Sequence, residues 1–180
     1  DLSEDGIAKY KNKYINSMKN DENITFVGLF ENGTFIALMK LIDFSMNTFG
    51  KMQHSVGLMS LAVHPMHRKK GAALDMVRFF EEYTKETKAA AAMLLPFRID
   101  FYRNMGYGYG SRLDEYRIPT VNLPTFKDIS CIKFLNSDDT AQMLECQKAF
   151  ASVNHGMVVK FEDEIRDMFA DDQSKILPRR

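Results

Sequence analysis

An apolar strand that halts at His64-Pro65 and gives way, through the basic loop Arg68-Lys69-Lys70-Gly71, to an amphipathic helix leaves few folds open to this chain. Proline cannot donate to a sheet ladder, so the strand over residues 53–63 has to stop there. The following helix carries Ala73, Met76, Val77, Phe80 and Tyr83 on one face and Glu81, Glu82, Lys85 and Glu86 on the other. Residues 89–95 are a short continuous apolar run closed by Pro96, which fits a buried strand. Strand, crossover helix, strand is the repeating unit of a sheet with helices laid against it.

The rest of the chain agrees with that frame. Ile7, Tyr10, Tyr14 and Met18 recur at helical spacing and predict an amphipathic helix within the first twenty residues. Residues 24–30 and 34–42 are apolar runs separated by Asn32-Gly33, the pattern of a hairpin. Residues 97–105 read as a short turn or helix with Tyr102 near its middle, and Gly106-Tyr107-Gly108-Tyr109-Gly110 as a bend leading into a strand at 111–118. Two prolines mark residues 119–124 as a linker. Beyond it the pattern predicts a strand at 129–135, a helix opened by Asn136-Ser137-Asp138-Asp139, and a second helix from residue 161. The expected class is α/β, a mixed sheet flanked by helices over residues 1–120, with residues 121–180 beginning a second, incomplete unit. The chain opens at Asp1 close to one helix and closes at Arg180 soon after another, so it reads as a piece of a longer protein.

Charge and composition exclude several function classes. Lys and Arg number 24 and so do Asp and Glu, and a neutral chain is a poor bulk binder of nucleic acid or anionic membrane. No apolar run approaches the roughly 18–20 residues that span a bilayer. With 180 residues, 45% of them hydrophobic, the chain can build a core without disulfides or metal. Cys131 and Cys146 form no close pair and read as reduced thiols of a cytoplasmic protein, packed in the core. His64 and His67 stand three apart, but Pro65 breaks helical geometry and no Cys or acidic residue flanks them, so no metal site is expected. Met76, Phe79 and Phe80 read as core.

The chemistry concentrates where the long helix begins. A first helical turn presents unpaired N–H groups and the positive end of the helix dipole. Gly71 and the small Ala72 and Ala73 let a bulky anion reach that backbone, while Arg68, Lys69 and Lys70 add charge, which together make a pyrophosphate cradle. The segment is neither a P-loop nor a dinucleotide fingerprint, since the glycines those motifs need are missing. From charge alone a solvated basic helix start remains the competing reading.

The stretch Gly57-Leu58-Met59-Ser60-Leu61-Ala62-Val63-His64-Pro65-Met66-His67-Arg68-Lys69-Lys70-Gly71-Ala72-Ala73 resembles the acetyl-CoA-binding motif of GNAT superfamily N-acetyltransferases, Q/R-x-x-G-x-G/A, with Arg68, Gly71 and Ala73 in its fixed places. Residues 96–107, containing Phe101-Tyr102-Arg103-Asn104-Met105-Gly106-Tyr107, are similar to the F-Y-R-x-x-G-Y segment of the Eis (enhanced intracellular survival) branch. The resemblance covers residues 20–120, and residues 129–169, with His155-Gly156-Met157, look like the opening of that branch's middle domain. It implies an acyltransferase fold whose first strand would precede this chain, and transfer of an acetyl group from acetyl-CoA to a primary amine. The acceptor it implies is a polyamine-like or aminoglycoside-like small molecule, or a protein lysine. It also leaves room for a homo-oligomer of the full-length protein.

The same resemblance implies roles for residues. Backbone groups of Leu61, Ala62 and Val63 would pair with the pantetheine arm and help hold an oxyanion. Arg68, Lys69, Lys70, Gly71, Ala72 and Ala73 would hold the pyrophosphate, and Tyr102 would protonate the leaving thiolate. Tyr107 and Tyr109 would shape the same cleft. In the Eis branch the terminal carboxylate is thought to be the base; a chain ending at Arg180 would leave Asp100, Asp114 or water for that task. A non-catalytic acyl-CoA-binding module is the alternative, and a nucleic-acid module using Arg68, Lys69 and Lys70 is disfavoured by neutrality and by the lack of interleaved aromatics.

Overall fold

The computed structural model describes residues 3–110, 114–125, 128, 130 and 132–170. Helix α1 (Glu4–Asn20) opens at Ser3, whose hydroxyl accepts from Gly6 N–H and whose carbonyl accepts from Ile7 N–H. Its apolar stripe is only partly covered: Tyr14 meets Phe26 edge-on at 5.7 Å, yet Ile7, Tyr10 and Met18 stay more than half exposed.

Strands β1 (Ile24–Glu31), β2 (Thr34–Thr48), β3 (Lys51–Val63) and β4 (Ala92–Leu94) form one sheet in the order β1-β2-β3-β4. The first two pairings are antiparallel and the last is parallel. Asn32 and Gly33 turn the first hairpin with φ of 50° and 79°, the positive values a two-residue turn needs. The second hairpin turns at Phe49-Gly50 with φ of 51° and 83°, a tight connection that the side chain of Phe49 conceals in sequence.

Helix α2 (Ala72–Glu86) crosses between β3 and β4 and buries Ala72, Met76, Val77, Phe80 and Thr84. Met39, Leu41, Val56 and Phe80 are fully buried where helix and sheet meet. The expected face is shifted slightly, because Ala72 rather than Ala73 is the buried alanine. Phe79 corrects the sequence reading more clearly: it is 45% exposed, since adjacent helical residues diverge by about 100° and Phe80 takes the core position. Tyr83 is half-buried, and its hydroxyl donates to Asp43 at 3.0 Å while His54 approaches the same carboxylate at 2.7 Å. That cluster ties α2 to β2 and β3.

The expected strand over 111–118 does not form in its described part, since residues 114–119 lack regular structure, and 111–113 lie outside the described residues. Residues 132–135 likewise form no ladder, and 129 and 131 lie outside the described residues. A strand needs a partner, and β4 offers an edge only three residues long. Helix α3 (Ile99–Arg103) and helices α4 (Thr140–Val153) and α5 (Glu162–Ala170) fall where the sequence places them. Asn136 and Asp139 form a reciprocal capping box ahead of α4. Cys146 is exposed on α4, against the expected core position, because that helix buries only Thr140 and Ala151; Cys131 lies outside the described residues.

β2 runs six residues past its expected end because residues 43–48 go on pairing with β3 as far back as Lys51, and the C-terminal segment covers their other edge. β1 stops pairing at Ile42, and beyond it Val158 forms a bridge with Met46 while Val159 N–H donates to Ser45 O. Asn47, 1% exposed, donates from Nδ2 to the carbonyls of Ala151 and Ser152 and accepts from Gly50 N–H. Removing that side chain strands buried carbonyls, so Asn47→Ala is expected to cost about 1–3 kcal/mol in denaturant-monitored unfolding. Proteolysis should then cut first between residues 136 and 160.

Candidate functional site

The two sequence-predicted halves of the site meet at the end of β3. Lys40 pairs with Met59, but Leu38 pairs with Ala62, so Ser60 and Leu61 together stand opposite Met39. Ser60 takes a φ of 54°, and such a bulge bends the strand and re-aims its backbone groups. On its other side β3 pairs with β4 only from Val56 to Leu58. Leu95 then leaves the sheet, 90% exposed. Among the described residues no strand lies beside β3 after Leu58 on that side, which leaves a slot along Leu61, Ala62 and Val63. An extended amide-bearing arm can lie there like an added strand.

The slot leads to the start of α2. Gly71 is the N-cap residue, with φ of 94° and no side-chain cap, and a Cβ placed on it would meet nothing within 4 Å. Leu74 and Asp75 N–H groups return to Gly71 O at 2.8 and 3.1 Å, while Ala72 and Ala73 supply the outward N–H groups of the first turn. Lys69 also takes a positive φ, 60°, so the loop coils tightly around this point. Arg68 Nε donates to Val63 O at 3.2 Å, which holds the guanidinium stem at the strand's end. Lys69, Lys70 and Gly71 are exposed. Two cavities, of about 330 and 200 Å³, lie between α2 and β1; Asp75 lines both, and Lys70 and Ala72 line the smaller. A carboxylate there is a poor host for an anion.

Tyr102 lies under the slot, 3% exposed, in the cluster formed by α2 and the sheet. Phe97, Phe101 and Tyr107 meet its ring edge-on at 5.0–6.0 Å. Burial raises its pKa above the ordinary tyrosine value, so the hydroxyl stays protonated at neutral pH. Tyr107 is raised further, first by burial and then by the nearby Glu81 carboxylate. Tyr109 is 76% exposed and touches Arg103, away from the core cluster. Asp100 is exposed and paired with Arg98, whose hydrogen bond lowers its pKa and makes it a weaker base; Asp114 is also exposed. His64 Nδ1 accepts from Met66 N–H, and His67 lies 3.3 Å from Glu31. Among the described residues no three His, Cys, Asp or Glu side chains gather as a metal set.

The bulge was not legible beforehand. Its one signal is negative: the polar Ser60 interrupts the alternation between Leu58 and Leu61.

A mixed sheet with a bulged strand, a parallel neighbour that leaves it early and a glycine behind a basic loop at the crossover helix defines an acyltransferase fold. The family model of the acetyltransferase (GNAT) domain matches residues 4–110, and the chain belongs to that family. No curated protein matches it. Among solved structures it is similar to a transcriptional regulator from Bacillus halodurans C-125, with 14% identity over 62% of this chain and 76% of that one, TM-score 0.53. It is also similar to a predicted acetyltransferase from Clostridium acetobutylicum, determined with acetyl-CoA, with 17% identity over 62% and 75% of the two chains, TM-score 0.52. At such identities the likeness speaks for the fold. No helix among the described residues is long and apolar enough to cross a membrane.

Proposed function

We propose that this chain binds acetyl-CoA in the slot beside β3 and transfers the acetyl group to a primary amine, of a small molecule or of a protein lysine. The observation that carries the reading is that the β3–β4 ladder ends at Leu58 while the uncapped N-terminus of α2 opens beyond Val63. Leu61, Ala62 and Val63 bind the pantetheine arm through their backbone, and the turn from Arg68 to Ala73 holds the pyrophosphate. The amine attacks the thioester carbonyl, and a backbone N–H at the bulge steadies the oxyanion. Collapse of the tetrahedral intermediate expels the CoA thiolate, which takes the Tyr102 proton, while the nitrogen sheds its extra proton to water and water re-protonates the Tyr102 phenolate.

The segment Phe101-Tyr102-Arg103-Asn104-Met105-Gly106-Tyr107 supports membership of the Eis-like branch. The acetyltransferase unit spans residues 1–120, and residues 121–180 begin a second unit, a division supported by the family match ending at residue 110. The place of work is the cytoplasm, where acetyl-CoA is available and the thiols of Cys131 and Cys146 stay reduced.

Calorimetric titration with acetyl-CoA, followed by thiol release across an amine panel, tests the reading. Saturable binding and amine-dependent release are expected. Absence of binding overturns the site, and binding without release for any amine leaves an acyl-CoA-binding module instead.

A further inference from the structure

Register divides the sheet into two faces. On one, Met39, Leu41, Val56 and Leu58 pack with α2 and Tyr102, so that side of the slot is filled. An amine must therefore reach the thioester from the opposite face. There Lys40 shares a cross-strand row with Phe26 and Met59, and the next row toward the slot is Gly28, Leu38 and Ala62. Lys40 is the one charged residue in these two rows. It is half-buried on a central strand, directly across from the residue that precedes the bulge. No described residue forms an ion pair or hydrogen bond with its ammonium group. Met59 and Ala62 beside it are exposed, while the rings of Phe30 and Phe35 stand over Gly28 at the β1 side of the face.

The stem of Lys40 is half-buried while its ammonium has no counter-charge among the described residues, which leaves that charge available to an anion. Helix α1 reaches the same face where Tyr14 meets Phe26, and its two carboxylates, Glu4 and Asp5, stand in its first turn. Resting on the transferase reading, we propose that the acceptor is an amine carrying an anionic group, a carboxylate or a phosphate, and that Lys40 binds that group. Neighbouring strands lie about 4.8 Å apart, so the anion stands only a few bonds from the amine that meets the thioester at the bulge. A polycationic acceptor meets like charge on this face and is selected against.

Matched acceptors test this in a thiol-release assay: an α-amino acid against its carboxamide, an amino sugar against its phosphate, and a linear polyamine. The anionic member of at least one pair is expected to have a KM lower by about 10-fold or more, the scale of one charge-assisted hydrogen bond. Lys40→Met should erase that preference while kcat moves far less, and Lys40→Arg should retain it. The two pairs separate a carboxylate from a phosphate. Titrating the acetylated products into CoA-loaded protein reads the same preference without turnover. Turnover with no anionic preference, or a preference unchanged in Lys40→Met, overturns the role of Lys40 and leaves the transferase reading intact. Preferential binding that Lys40→Met abolishes, with no turnover of any amine, upholds the anion site and overturns the transferase reading. Neither turnover nor binding of any anionic member overturns both.

Discussion

Tyr102→Phe lowers kcat for acetyl transfer by about 10²–10⁴, the usual contribution of a positioned acid. The thiolate leaving the tetrahedral intermediate needs a proton, and the Tyr102 hydroxyl sits in the cluster beneath the slot where the sulfur would arrive. Burial raises its pKa, so the protonated, donating form persists further into the alkaline range than for a free tyrosine. The alkaline limb of the kcat profile should therefore fall above the ordinary tyrosine value. Phenylalanine keeps the edge-on contacts with Phe97, Phe101 and Tyr107, so unfolding free energy should change by less than about 1 kcal/mol. Acetyl-CoA affinity should hardly move, because the hydroxyl acts in the transition state. A full rate in Tyr102→Phe together with a slow Tyr107→Phe would transfer the role to Tyr107, whose buried hydroxyl lies nearest the Glu81 carboxylate.

Gly71→Val weakens acetyl-CoA binding by about 10- to 100-fold, as expected when one charge-assisted hydrogen bond to phosphate is lost. The φ of 94° at Gly71 suits glycine, and a β-branched residue there is strained by about 1–3 kcal/mol. The chain itself leaves the space around an added Cβ open, so the side chain starts without a clash and the fold should survive. What it does block is the approach of an anion to the N–H groups of Ala72 and Ala73. Gly71→Ala carries the same backbone strain with less bulk, so a graded loss from alanine to valine separates obstruction from strain. Equal affinity in all three folded proteins would refute the cradle.

The parts of this molecule that local chemistry dictates were legible in its residues. Asn32-Gly33 announced the first hairpin, Pro65 and Pro96 announced where two strands end, and the 3.6-residue period of Met76, Val77 and Phe80 announced the crossover helix. Hidden were features that depend on distant partners. The extension of β2 to Thr48 rests on its ladder with β3 back to Lys51 and on Val158 and Val159 at the edge that β1 leaves bare, and nothing in residues 43–48 states either. The described parts of the strands expected at 111–118 and 129–135, residues 114–118 and 132–135, form none for the converse reason, as pattern without a partner ladder does not make a strand. At the proposed site, glycine and charge are what the sequence offers for an anion end, whereas the bulge at Ser60 emerges only from the registers of β2 and β3. Lys40 was invisible as a functional residue because its meaning lies in which face it shares, and that is set by the same registers.

A crystal structure of the chain with coenzyme A bound tests the central claim most directly. The pyrophosphate should lie within hydrogen-bond distance of the Ala72 and Ala73 N–H groups, with the pantetheine arm running antiparallel or parallel along Leu61, Ala62 and Val63 and the thiol ending near Tyr102. Coenzyme A seated instead in the larger cavity between α2 and β1, or touching α2 nowhere near Gly71, would contradict the account.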